Sequence, residues 1–409
     1  MTTTPAPLAP GPLDGLTVWE VSSFVAAPLG GLTLAQLGAD VIRVDPIGGA
    51  ADVGRWPLAP SGVSLYWTGL NKGKRSLTLN FRDAEARGLL ADLIARSGGI
   101  VLTNAVGQRW LGYDELSKAY PGLIHLLIQG NHDGSAAVDY TVNATMGFPH
   151  VTGPDSLREP VNHVLPAWDI ACGLYAAIGL IAAERRRRLT GEGSQLTLAL
   201  ADVALAVTAH LGFLAEAQLT GADRQRIGNY LYGGFARDFT TSDGERVMVV
   251  ALTGRHFADL AAVTGLNATF AELERLLGAD FSTDGDRYTH REVLASLLRP
   301  WFAGRELAQV ARELDGTSVL WSRYRRFTEM AAEEAKVGNP LLREITQPGV
   351  GPLLAPRSPL YVTGAEQVRP APVLGADTAR LLGDFLGLSA EQIGALMERG
   401  VVAGPAPDS

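Results

Sequence analysis

A chain of 409 residues with 46% hydrophobic and 19% charged side chains is long enough for roughly two to three domains with large apolar cores. Its net charge of −8 and its single cysteine, Cys172, exclude a basic nucleic-acid surface and an internal disulfide, and they fit a reducing cytoplasm. Residues 1–11 hold no Lys or Arg and so do not read as a secretory signal. The longest apolar run, 170–183, is shorter than the roughly 18–20 residues of a membrane span.

In chain order, residues 1–12 read as a disordered tail. Residues 16–21 then read as a strand, 28–37 as a helix of small residues, and 38–45 as a turn and strand. Strand, helix and strand over about thirty residues is the unit of a parallel sheet. The pattern repeats with a strand at 76–80, a helix at 84–96, a strand at 99–102, a short helix at 114–119 and a strand at 123–129. The first half is therefore expected to be an α/β, Rossmann-like, doubly wound layer. Helices are expected at 170–188 and 199–218. Residues 239–250 read as a hairpin around Ser242-Asp243-Gly244. Helices at 255–264, 268–277, 290–301 and 305–314 follow, then proline-punctuated strand pieces from 339 and a helix pair over 376–398. The expected division is a large domain from 1–220, a smaller α+β domain over 221–330, and a C-terminal part, 331–409, that returns to the large domain.

Several segments carry chemistry. Gly69-Leu70-Asn71-Lys72-Gly73-Lys74-Arg75-Ser76 sets three cations beside an Asn just before a strand. It is not a Walker A loop, because it is one residue short and Arg75 stands where Ser or Thr belongs. A solvated turn and a phosphate-binding cluster both fit it. Asn131, His132 and Asp133 lie in a polar loop after a strand. His132, His150 and His163 have no metal-ligand spacing, so no metal site is expected. Cys172 sits in an apolar run, where a thiol is usually a core filler.

Asp169 stands at the head of that run, in Pro166-Ala167-Trp168-Asp169-Ile170. Asp is a favoured helix N-cap, worth about 1 kcal/mol. A partly desolvated carboxylate is also a better nucleophile toward an acyl carbon. Local pattern leaves both roles open.

Taken together, the segments resemble the class III CoA-transferases, the family of formyl-CoA transferase, carnitine CoA-transferase and α-methylacyl-CoA racemase. Residues 13–18 look like the family's opening strand, and Phe24-Val25-Ala26-Ala27-Pro28 looks like its "AGP" turn. Residues 37–46 are similar to "LGADVIKVEP", and residues 70–76 to "LNxNKRS". Asn339-Pro340, residues 347–351 and residues 369–375 resemble the C-terminal signature. The resemblance implies that Asp169 is the catalytic acyl acceptor. It assigns the CoA moiety to Val25, Ala26, Arg43, Asn71, Lys72, Lys74, Arg75 and Asn104. It also implies an interlocked homodimer, and CoA as part of the substrate with no resident cofactor.

Two departures narrow the activity. The family's "ENFRPG" stretch appears as Thr103-Asn104-Ala105-Val106-Gly107, so one expected cation is missing, with Arg109 as a nearby substitute. Val138 occupies the His position of the racemase "GHD" motif, which removes one of the two bases a racemase needs. Residues 161–169 and 228–239 look most like the family branch that moves CoA between C1 and C4 of mesaconate. That branch implies Asn162, His163, Tyr232 and Arg237 as readers of the acyl group's free carboxylate. Intermolecular transfer between two acids uses the same aspartate and stays open, as does a non-catalytic CoA-binding protein.

Overall fold

The computed structural model describes residues 11–360 and 368–406, so most of the tail expected over 1–12 lies outside the described residues. The chain divides into two compact units. The first is built from residues 1–146, 164–219 and 338–409, and the second from 147–163 and 220–337.

The first unit opens with β1 (Thr17–Val21), α1 (Ala26–Gln36) and β2 (Asp40–Pro46). There follow α2 (Leu65–Leu70), β3 (Arg75–Leu79), α3 (Ala84–Arg96), β4 (Ile100–Thr103), α4 (Tyr113–Ala119) and β5 (Ile124–Gln129). Helix α3 shows how local chemistry sets these elements. Asp83 accepts from the amides of Glu85 and Ala86 at 2.7 and 3.3 Å, which satisfies two orphan donors of the first turn. Its apolar stripe of Ala86, Leu90, Leu93 and Ile94 is buried in the sheet core. Next come α5 (Asp139–Thr145), α6 (Phe148–Val151) in the second unit, and then α7 (Ala167–Thr190), β6 (Ser194–Ala199) and α8 (Leu200–His210).

The sheet order is β3-β2-β1-β4-β5-β6, all parallel, with the short strand Val402–Ala403 antiparallel outside β3. The chain therefore winds one way from β1 to β3 and the other way from β4 to β6. Ligands of such sheets bind where the order reverses, in the crevice past the carboxyl ends of the strands. Here that crevice lies after β1 and β4.

Several elements differ from the sequence reading. No strand was expected before the helix at 199–218, yet β6 pairs along the whole of β5. That helix also ends at His210, and Gly212, with φ of 84°, turns the chain. The apolar run 170–183 lies inside a longer helix. Helix α7 has 24 residues and a stretch of mean hydropathy 1.4, enough to cross a membrane by length and composition. It packs on α1, β5 and β6 as part of the α/β layer. At its far end Arg187 donates to the carbonyls of Gly98 and Gly122 at 2.6 and 2.8 Å.

The second unit has an antiparallel sheet of β7 (Phe235–Thr240), β8 (Arg246–Ala251) and β9 (Leu320–Arg323). Its core is aromatic: Phe235, Phe239, Phe257, Phe270, Phe281 and Phe302 are buried together.

Candidate active site

The loop after β1 is held from two sides. The Asn104 side chain accepts from the Ser23 amide at 3.1 Å and donates to the Ser23 carbonyl at 2.8 Å. The next residue, Phe24, has φ of 67°, a left-handed backbone that costs a residue of this size roughly 1–3 kcal/mol. Its amide donates to Asp52 Oδ2 at 3.0 Å. This turn delivers the chain into α1, whose N-cap, Val25, offers no side-chain oxygen to the first-turn amides. Those amides point out of a helix N-terminus, a good place for developing negative charge.

Asp52 is fixed in turn by a buried charge cluster. Arg43 reaches Asp45 at 2.9 Å, Asp52 at 3.2 Å and Glu20 at 3.4 Å. Lys74 Nζ bonds Glu20 at 2.8 Å, the Pro28 carbonyl at 2.9 Å and Asn71 Oδ1 at 2.9 Å. Asn71 Nδ2 donates to the Trp67 carbonyl at 2.9 Å. Burial pushes the Lys74 ammonium down to about 8 even with Glu20 beside it. Arg43, Asn71 and Lys74, expected to meet CoA, are all buried here, and protein atoms occupy their polar groups. Arg75 is also engaged, with Asp40 at 3.0 Å. Lys72 is half-buried, with its ammonium on the Thr68 carbonyl at 3.1 Å, and burial lowers its pKa.

Asp169 does not cap α7. The N-cap is Pro166, which has no capping side chain, and Asp169 is the third residue of the helix. The cap comes from another helix. Asp139, first residue of α5 and buried, accepts from the amides of Trp168 and Asp169 at 2.8 and 3.1 Å through one carboxylate oxygen. The Asp169 carboxyl is thus left available. It is half-buried, and burial, then the Asp139 charge, push it up to about 7 against the opposing pull of Arg55. Cys172, one turn on, is fully buried, and burial and Asp169 push its thiol up to about 12. It is a core residue and not a thiolate.

Helices α1 and α7 approach backbone to backbone. A Cβ on Gly173 would stand 2.6 Å from the Ala26 carbonyl, and one on Gly30 would stand 3.1 Å from the Gly173 carbonyl. The two glycines bring the start of α1, with Val25 and Ala26, against the first turns of α7. Three further side chains gather there. The Arg55 guanidinium lies 5.5 Å from the Phe24 ring centroid and 5.1 Å from that of Tyr66. Burial first, then the charges of Asp169 and Asp52, raise the Tyr66 phenol to about 12 although Arg55 opposes them.

Val138, at the racemase His position, is exposed beside Asp139. The loop of Asn131, His132 and Asp133 closes on itself, with Asp133 accepting from Ser135. Asn162, His163, Tyr232 and Arg237 belong to the second unit. There Tyr232 packs at 5.2 Å on Tyr288, and Arg237 stacks at 4.3 Å on Tyr230 beside Asp238. No group of His, Cys, Asp and Glu among the described residues is arranged to hold a metal. The sequence reading missed Phe24, Arg55, Tyr66 and Asp139. Asp139 had one signal, its place next to Val138 in the "GHD" comparison.

The model of CoA-transferase family III matches residues 13–378. The chain is 49% identical over 403 residues, 97% of its length and 98% of the relative's, to the 2-methylfumaryl-CoA isomerase of Chloroflexus aurantiacus. It is 26% identical over 408 residues to the succinyl-CoA–D-citramalate CoA-transferase of the same organism, covering 96% of this chain and 98% of that one. Among solved structures, a CaiB/BaiF family protein from Brucella suis matches with a TM-score of 0.75 and 26% identity, over 92% of this chain and 100% of that one. The chain belongs to CoA-transferase family III and is an enzyme of that family.

Proposed function

We propose that the protein moves CoA between the C1 and C4 carboxyls of mesaconate, by way of acyl intermediates on Asp169. Mesaconate is 2-methylfumarate, so the reading follows from the near full-length likeness to 2-methylfumaryl-CoA isomerase. The observation that carries the chemistry is the Asp169 carboxyl, which Asp139 relieves of capping, on a helix whose second turn meets the start of α1.

The ionised Asp169 attacks the thioester carbonyl of mesaconyl-C1-CoA. The C–S bond breaks, leaving a mixed aspartyl anhydride and CoA thiolate. The thiolate attacks the Asp169 acyl carbon and displaces mesaconate, giving an aspartyl-CoA thioester. The C4 carboxylate of mesaconate then attacks that thioester, and the steps run in reverse to release C4-CoA. Each tetrahedral oxyanion needs donors at the place where charge develops. In this reading the amides of Val25, Ala26 and Ala27 supply them. Asn104 keeps the turn in place, and Lys72 is the cation for a CoA phosphate. CoA enters as part of the substrate. The interlocked homodimer belongs to the same reading.

The test is product analysis with mesaconyl-C1-CoA as sole substrate. Formation of C4-CoA without added acid is the expected result. If C4 product appears only when a separate carboxylic acid is supplied, the enzyme is an intermolecular transferase.

A further inference from the structure

We propose that Arg55 binds the free carboxylate of the acyl group and so sets a preference for dicarboxylic over monocarboxylic thioesters. The proposal rests on Asp169 being the acyl acceptor.

Four observations converge on Arg55. First, its guanidinium lies over two rings, Phe24 at 5.5 Å and Tyr66 at 5.1 Å. Aromatic faces attract a guanidinium, and of its five N–H donors the Tyr66 hydroxyl takes one contact, so the rest can serve a ligand. Second, it forms no ion pair among the described residues, whereas its neighbours in the sequence motifs are engaged: Arg43 with three carboxylates, Lys74 with Glu20 and Arg75 with Asp40. A guanidinium outside any ion pair suits two parallel bonds to a carboxylate.

Third, its backbone is anchored on both sides. The Arg55 amide donates to the Asp52 carbonyl at 3.1 Å, and Asp52 is locked to Arg43. The Arg55 carbonyl accepts from Ser64 Oγ, and Ser64 caps α2, the helix that carries Tyr66. Fourth, the backbone of Phe24 is fixed by the left-handed turn that starts α1 and by its amide bond to Asp52. These contacts hold the cation beside the acyl acceptor without a mobile segment.

The chemistry asks for such a residue. A dicarboxylic acyl group brings a second negative charge to a site that already holds Asp169 and Asp139. A nearby cation offsets that repulsion. When CoA moves from C1 to C4, the carboxylate that becomes free is the one that was esterified. One receptor therefore serves substrate and product, because the two ends of the acid exchange places.

The experiment compares mesaconyl-C1-CoA with methacrylyl-CoA, the same thioester with the free carboxylate replaced by hydrogen. Acylation of Asp169 is followed by hydroxylamine trapping and peptide mass spectrometry in wild type, Arg55→Gln and Arg55→Lys. Arg55→Gln is expected to slow trapping from mesaconyl-C1-CoA about 100-fold and to leave the methacrylyl rate within about threefold, with Arg55→Lys between, as for loss of a charge-assisted pair. The methacrylyl rate also reports whether the variant is folded. Equal slowing with both thioesters, or no slowing with either, overturns the proposal. If wild type yields no Asp169 adduct from either thioester, it is the acyl-acceptor reading that fails.

Discussion

The first unit contains two clusters of carboxylates and cations that differ in one respect. Around Arg43 every charge is buried and met by an opposite charge: Glu20, Asp45 and Asp52 against Arg43 and Lys74. At the other cluster Asp169 is half-buried and Arg55 exposed, the neighbour of Asp169 is another carboxylate, the buried Asp139, and Arg55 has no ion-pair partner among the described residues. The same residue types make a scaffold in one place and a reactive site in the other. Whether partners are supplied decides which.

Substitutions separate the two. The largest effect on turnover belongs to the open cluster. Asp169→Asn is expected to lower turnover by about 10³-fold or more while leaving thermal stability near wild type, because no capping bond is lost. Near-normal turnover would remove Asp169 from the mechanism. The largest effect on stability belongs to the closed cluster. Arg43→Ala strands buried carboxylates and is expected to cost roughly 3–5 kcal/mol in urea unfolding. If that variant keeps its stability and loses only CoA affinity, Arg43 is a ligand contact and the contrast collapses.

A smaller effect is read from pH. Asp169 must be ionised to attack, and burial and Asp139 hold it near 7, so kcat/KM is expected to rise with pH through about 7. Asp139→Asn keeps an acceptor for the two amides and removes the charge. Its profile is expected to move to lower pH, toward the ordinary carboxylate range. An unmoved profile would leave Asp139 with a purely structural role. Stability has the matching sign. The folded protein holds the Asp169 proton more tightly than the unfolded chain, with pKa near 7 against 3.8, so this contribution is full below pH 3.8 and is lost as pH rises through 7.

Much of the scaffold was legible in the sequence because its causes are local. Helix α3 carries its own cap and stripe, and the strand–helix–strand pattern over 16–45 led to the doubly wound layer. Strand β6 was not legible, since it runs directly into α8 and its length is set by pairing with β5. Asp169 could be placed in a CoA-handling family, but local pattern leaves its capping role open, because the residue that caps α7 lies 30 residues earlier on another helix. The burial of Arg43, Asn71 and Lys74 is not legible either, because a motif names residue types and not the direction in which they point. Arg55 left no trace, since ring stacking across 24, 55 and 66 has no sequence period.

The trans cap on α7 has an evolutionary consequence. Because Asp139 secures the helix, the residue at 169 has no duty to the fold, and its side chain can be exchanged without loosening the helix that carries it. Chemistry at that position is therefore free to drift. A lineage can retire the acyl acceptor, or test another group in its place, on an intact framework. Position 139 has no such liberty.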